Sequence, residues 1–347
     1  MTFAILHEPA SYTVDRNRAV YDKLGVRYAY MHGESEAMSG ESANEKPLSE
    51  LSFCALYKRL KQILRENDTV IMNGYNGKIF LPLFFLNYFY RRRIGLDSDT
   101  QLVIPTNPVK RTLKSLYLHW IFTNRHIYGL AGGTQTHKEL FRHYGMPESR
   151  IFLMPMMVNN AKFQCPTTRE EKPFRFLYVG RIVDCKNIEM MIEAFVKAFP
   201  SADDVELQIV GRGDLLDELR ERYAAHPHIK FAGPKYADEL IAEYHHAHAF
   251  VLPSSFEPWG LVVNEAMAAG MPVLASSEVG ARYDLVIENE TGFVFAPDDI
   301  EGLSEKMKTL ANDTELYKKM ARNAAHKLNN EWNYEFYEKC LKKFLEK

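Results

Sequence analysis

Two short stretches of the chain bring charged side chains together at spacings that could do chemistry. The first, Gly180-Arg181-Ile182-Val183-Asp184-Cys185-Lys186-Asn187, follows the apolar run Phe174 to Val179. Gly180 lets the backbone approach a ligand, and Arg181 with Lys186 sets two cations on one loop, a combination suited to a diphosphate. Taken alone, an Arg and a Lys also read as a solvated surface pair. The second stretch runs from Pro253 to Val273 as PSSFEPWGLVVNEAMAAGMPV. Pro258 and Gly260 mark a turn, and Leu261 to Ala269 predicts a helix closed by Gly270 and Pro272. Glu257 then stands just before the helix and Glu265 in its second turn. The first turn of such a helix, Leu261 to Val263, offers free N–H groups and the positive end of the helix dipole to an anion. Carboxylates repel a phosphate unless each accepts hydrogen bonds from hydroxyls on either side of it, such as a sugar at one end and a ribose at the other. The macrodipole alone explains one glutamate ahead of the helix but does not call for the second.

These loops need elements to hold them. Short β-rich runs alternate with longer amphipathic ones, the pattern of parallel sheets with crossover helices, and 347 residues at 46% hydrophobic are too many for one small core. Two doubly wound α/β domains follow, 1–165 and 174–330, joined by the polar, proline-bearing stretch Gln164 to Pro173. Strands are expected at Phe3 to His7, Arg27 to Met31, Thr69 to Asn73, Ile94 to Asp97, Gly129 to Gly132 and Ile151 to Met154 in the first. In the second they are expected at Phe174 to Val179, Glu206 to Val210, Ile229 to Phe231, Ala249 to Leu252 and Val273 to Ala275. In open α/β sheets ligands bind beyond the carboxyl ends of the strands, which is where both charged loops fall. No G-x-G-x-x-G follows the first strand, and Gly211-Arg212-Gly213 lacks the third glycine, which disfavours a dinucleotide dehydrogenase.

Composition narrows the partners. Lys and Arg total 43 against 45 for Asp and Glu, so no global charge favours nucleic acid. Cys54, Cys165, Cys185 and Cys340 have no short paired spacing, which implies neither a zinc site nor a disulfide framework and suits a reducing cytoplasm. The N-terminus has no basic region ahead of its apolar run, so no signal peptide is expected. The most apolar segment, Ile79 to Tyr90, has 12 residues and is followed by Arg91, Arg92 and Arg93. A helical span of the bilayer needs roughly 20. The segment reads first as a buried helix, and second as a membrane-facing one with arginines on lipid phosphates.

The spacing Glu257-x7-Glu265 in EPWGLVVNEAMAAGMPV, together with GRIVDCKN, resembles the retaining glycosyltransferases of family 4. The resemblance covers Phe174 to about Lys327, and the first half matches in layout more than in residues. It implies a GT-B fold, two Rossmann-like domains facing a cleft, with a C-terminal helix (333–347) packing back on an acceptor-binding first domain. It further implies that Arg181 and Lys186 neutralise the donor diphosphate and the charge growing on the leaving nucleotide, so that no divalent metal or other cofactor is required. Glu257 would meet the donor sugar's hydroxyls and Glu265 the ribose. Gly180, Gly260, Leu261 and Val262 would line the donor, with Gly211 and the loop Phe231 to Tyr236, including Lys235, near the base. Two departures stand out. The loop Glu8 to Tyr12 lacks the family's glycines, and the strand Ile94 to Leu96 ends in Asp97-Ser98-Asp99-Thr100 where a histidine is common. That loop reads either as a turn or helix cap, or as an acceptor site in which Asp97 and Asp99 bind hydroxyls or receive the acceptor proton.

The expected reaction is transfer of a sugar, with retention, from a nucleotide-diphosphate donor to a hydroxyl of a glycan or lipid-linked glycan. A UDP-sugar is expected first and GDP-mannose second, in bacterial surface polysaccharide assembly, with peripheral contact at the inner membrane leaflet. Two rivals are a nucleotide-sugar epimerase on the same fold and a non-catalytic nucleotide-sugar binder.

Overall fold

The short apolar runs become strands because each is bounded by turn residues and is too brief to bury one face of a helix. In the computed structural model, which describes residues 1–33, 46–75, 77–165, 172–201 and 204–347, they assemble into two parallel sheets. The first contains β1 (Thr2–Leu6), β2 (Arg27–Tyr30), β3 (Thr69–Asn73), β4 (Arg93–Ser98), β5 (Ile127–Ala131) and β6 (Ile151–Leu153) in the order β2-β1-β3-β4-β5-β6. The second contains β7 (Phe174–Val179), β8 (Val205–Val210), β9 (Ile229–Gly233), β10 (Ala249–Leu252), β11 (Val273–Ser276) and β12 (Gly292–Phe295) in the order β12-β11-β10-β7-β8-β9. Strand order reverses between β1 and β3 in one sheet and between β7 and β10 in the other. Loops part at such points, opening a crevice at the carboxyl edge. This is the α/β, GT-B architecture expected. The ends of β3, β7 and β10 fall as expected, those of the other expected strands move by at most two residues, and β12 is additional.

The chain divides into two units, Met1–Met157 with Tyr334–Lys347, and Val158–Asn333. Residues 158–165, assigned from sequence to the first domain, therefore belong to the second unit. Asn160 explains this: its buried side-chain amide donates to the carbonyls of Leu328 (2.6 Å) and Trp332 (3.1 Å). Of the expected linker Gln164 to Pro173, residues 166–171 lie outside the described residues.

The apolar segment after β3 is the helix Gly77–Tyr90, which buries Ile79, Phe80, Leu83, Phe84 and Leu86 in the core of the first unit. Its other face is not buried, and Phe85 and Phe89 stand exposed. Of the three arginines after it, two serve the fold. Arg92 pairs with Asp68 at 3.1 Å and donates to the Leu64 carbonyl at 2.9 Å. Arg93 donates to the carbonyls of Phe344 and Leu345. Among the described residues no helix is long and apolar enough to cross a membrane.

Candidate active site

The carboxyl edge of the second sheet collects its site residues at the β7–β10 switch point. Gly180 follows β7, and its N–H donates to the Val210 carbonyl at 3.0 Å, while Ile182 donates to the Arg212 carbonyl at 2.9 Å. The loops after β7 and β8 are thereby zipped together. A Cβ on Gly211 would lie 1.8 Å from the Gly180 carbonyl oxygen. This glycine is thus demanded by the approach of one backbone to another. Arg181 points its side chain into solvent, and its carbonyl accepts from the buried Tyr178 hydroxyl at 2.7 Å. Beyond it Asp184–Lys186 makes a tight turn ended by Asn187, whose φ of 54° an Asn tolerates better than most residues. The Asn187 amide locks the turn by donating to the Pro297 carbonyl at 2.6 Å.

The loop after β10 meets that turn. The Ser255 N–H donates to the Cys185 carbonyl at 3.0 Å, and the Glu257 N–H donates to the Glu278 carbonyl at 3.2 Å. With both backbones fixed, the buried Lys186 ammonium donates to the Glu257 carboxylate across the switch point. Gly260, at φ 93°, turns the chain into the helix Leu261–Ala268, so that the N–H groups of Leu261 and Val262 lie in a first turn whose donors have no intrahelical acceptor. Trp259 anchors this corner, its indole N–H donating to Asn264 at 2.8 Å and its ring stacked on Trp332 at 5.8 Å. One turn further along, Glu265 accepts from the Tyr244 hydroxyl at 2.6 Å. Burial pushes its carboxyl up to about 7, against the opposing pull of that hydrogen bond. Lys235, after β9, lies 3.8 Å from Glu239.

Glu257 and Lys186, predicted for different parts of a donor, are thus joined in one ion pair. Asp97 and Asp99 belong to the other unit, where they line a pocket of about 270 Å³ at the β1–β3 switch point with His7, Tyr12, Arg16 and Asn73. Here β4 runs on to Ser98, so Asp97 is a buried strand residue and only Asp99 and Thr100 lie in the loop. The reading of the whole Asp97 to Thr100 stretch as a solvated turn is corrected accordingly. Arg16 lies 3.9 Å from Asp97, and the Asn73 amide donates to Asp97 at 3.4 Å. Burial raises the Asp97 carboxyl to about 6, with Arg16 opposing. Among the described residues, Arg16 Nε and Asn73 Oδ1 are buried without a hydrogen-bond partner, a costly state for polar atoms. Sequence reasoning missed Arg16 and Tyr12. The available signal was a short helix, Ser11–Arg16, that follows the loop at the carboxyl end of β1, where open α/β sheets bind ligands.

Residues 160–327, just under half of the chain, match the protein family described as Glycosyl transferases group 1. The chain is 34% identical over 166 residues to the glycogen synthase of Mycobacterium tuberculosis, covering 47% of this chain and 40% of that protein. It is 29% identical over 184 residues to the capsular polysaccharide biosynthesis glycosyltransferase CapM of Staphylococcus aureus, covering 50% and 48%. The chain therefore spans about half or less of the length of these curated relatives. In fold it is similar along its whole length to Anabaena Alr3699/HepE in complex with UDP, with a TM-score of 0.77 at 17% identity and 100% of both chains covered. It is also similar to a glycosyltransferase from Rickettsia africae, with a TM-score of 0.74 at 17% identity, 99% and 98% covered.

Proposed function

We propose that the protein is a glycosyltransferase that moves a sugar from a nucleotide-diphosphate donor to a hydroxyl of a glycan or lipid-linked glycan. The observation that carries this is the constellation at the β7–β10 switch point. There an exposed arginine, a buried Lys186–Glu257 pair, a helix first turn and a half-buried Glu265 lie on adjoining loops. Each donor part finds a complement. Arg181 and the N–H groups of Leu261 and Val262 hold the diphosphate. Lys186 turns from Glu257 toward phosphate as the donor enters, freeing the carboxylate for the sugar hydroxyls. Glu265 accepts from the ribose. Gly180, Gly211, Gly260 and Lys235 complete the wall. Arg181, Lys186 and the backbone dipoles offset the charge that grows on the leaving diphosphate, so no divalent metal is needed.

In the first unit the Asp97 pocket binds the acceptor, with Asp99 and the neighbouring polar side chains His7 and Tyr12 of its lining meeting the acceptor hydroxyls. The acceptor oxygen bonds to the anomeric carbon as the carbon–oxygen bond to the β-phosphate breaks on the same face. The departing phosphate oxygen takes the acceptor proton, and the configuration is retained. A UDP-sugar is the first choice of donor and GDP-mannose the second. The UDP in the Anabaena neighbour supports that order, and the S. aureus relative supports a role in surface polysaccharide assembly.

The test is a thermal-shift screen against UDP, GDP, ADP, TDP and CMP and their sugars, in which a ligand at 100 times its Kd adds about 2.7 kcal/mol. One nucleotide diphosphate is expected to stabilise the protein, and Arg181→Ala to weaken that binding roughly 10- to 100-fold. Binding unaffected by Arg181→Ala overturns the site. Turnover is expected only with an acceptor and to persist in EDTA; an isomerised sugar formed from donor alone overturns transfer in favour of epimerisation.

A further inference from the structure

The helix Pro108–Thr123 buries only Leu118, Ile121 and Phe122. Its outer face carries Val109 (66% exposed), Leu113 (63%), Leu116 (64%) and Trp120 (41%). The spacing of these four at successive turns aligns them in one apolar stripe facing away from the protein. The helix Gly77–Tyr90 extends it: Phe85 is exposed with its ring 5.8 Å from that of Trp120, and Phe89 is 83% exposed. Isolated surface apolar residues are ordinary, but a continuous stripe shared by two helices marks an interaction surface.

Charge identifies the partner. Between Asp68 and Glu139 the sequence contains no carboxylate except Asp97 and Asp99, which line the acceptor pocket. On the same helix Lys110 follows Val109 at the start of the stripe, whereas Lys114 is turned away from it and donates to the Val103 carbonyl at 2.7 Å. Where the two helices end, a cleft of about 370 Å³ is lined by Asn87, Tyr88, Arg91, Arg125 and His126. Arg125 is oriented by its own Nε, which donates to His126 Nε2 at 3.1 Å. Arg92 and Arg93 are held inside the unit, so of the three consecutive arginines Arg91 alone lines this cleft. A second copy of the chain would bring cations against cations with no carboxylate in the stripe to answer them.

We propose that this face docks on an anionic lipid bilayer, with the stripe in the acyl boundary and Arg91 and Arg125 on headgroup phosphates. The surface stands independently of the glycosyltransferase reading.

Flotation of the full chain tests this, using vesicles of phosphatidylcholine alone or mixed with phosphatidylglycerol. The chain is expected to float with the mixed vesicles and not with phosphatidylcholine alone, and Trp120 emission to shift to the blue on binding. Leu113→Glu with Leu116→Glu, and separately Arg91→Gln with Arg125→Gln, are each expected to weaken binding roughly tenfold. The arginine pair should also flatten its salt dependence. All four positions avoid the core, so melting temperature should hold, which separates lost docking from lost folding. The proposal is overturned if the chain ignores anionic vesicles, if both pairs bind like the wild type, or if sedimentation shows the leucine pair splitting a dimer that does not bind vesicles.

Discussion

Lys186 and Glu257 are each the other's partner, and both side chains are little exposed, at 11% and 16%. Removing one leaves the other charge stranded in a poorly solvated place, so Lys186→Ala should cost about 1 to 3 kcal/mol of stability. The double variant Lys186→Met with Glu257→Gln should recover most of that while binding no donor; denaturant titration beside calorimetry separates the two effects. Glu265 makes a pH-dependent prediction. Its carboxyl is raised to about 7 from an ordinary 4.5. Between those values the folded protein keeps a proton that the unfolded chain has lost, so this residue's contribution to stability falls as pH rises through the window. Glu265→Gln should flatten the melting-temperature profile there. In the wild type donor affinity should rise with pH through about 7, since a ribose hydroxyl donates best to the carboxylate. Tyr244→Phe should move that rise to higher pH, because the lost hydrogen bond is what holds the carboxyl down. The glutamates were legible in the sequence because two carboxylates at the start of an apolar helix have little structural use. Tyr244 and Arg16 were not, because Arg16 meets Asp97 only through strands remote in sequence and Tyr244 meets Glu265 only when the helices on either side of β10 pack, and a tyrosine in an amphipathic helix carries no local mark of its partner.

Elements were the most legible level, since strand periodicity and turn residues are local, and five strands of the second sheet, β7 to β11, begin within a residue of expectation. The exception, β12, is a four-residue run after Thr291 that becomes a strand only by pairing with β11. What local pattern could not give was the reason for the glycines. The resemblance puts Gly211 near the donor's base, and what fills the place of its missing Cβ is the Gly180 carbonyl. Gly211→Ala must part the loops after β7 and β8, and it should cost more than about 2 kcal/mol and lower donor affinity together with melting temperature. Gly25 provides the control. Its φ is 66° with no atom within 4 Å of a built Cβ, so Gly25→Ala carries only the left-handed strain of about 1 kcal/mol and should leave donor binding unchanged. Equal effects of the two substitutions would remove the case for loop packing.

At the scale of the whole molecule the units are not consecutive in the chain, because the last helix, Tyr334–Leu345, completes the first unit. An amphipathic tail was visible in the sequence, but its seat was not, because the seat is a glycine. A Cβ on Gly95, inside β4, would lie 2.9 Å from the Phe344 ring, so the bare backbone of that strand is what admits the side chain. The ring is then enclosed by Phe152 at 5.4 Å and Tyr128 at 5.9 Å, with the Arg93 guanidinium 4.8 Å from its centroid. Tyr337 adds a buried hydroxyl contact to Tyr21 at 2.9 Å. Burying Tyr337, Leu341 and Phe344 contributes roughly 5 to 9 kcal/mol, comparable with the whole stability of an ordinary domain. A chain ending at Asn333 should therefore lose the first unit while keeping the second, whose strands and donor loops lie wholly within Val158–Asn333. Calorimetry of the truncated chain should show one cooperative transition fewer than the full chain, with the survivor still raised by the nucleotide diphosphate. Sugar transfer should be abolished. If instead the truncated chain keeps both transitions and its activity, the helix is an ornament on the first unit and its buried aromatic seat contributes far less than its area suggests.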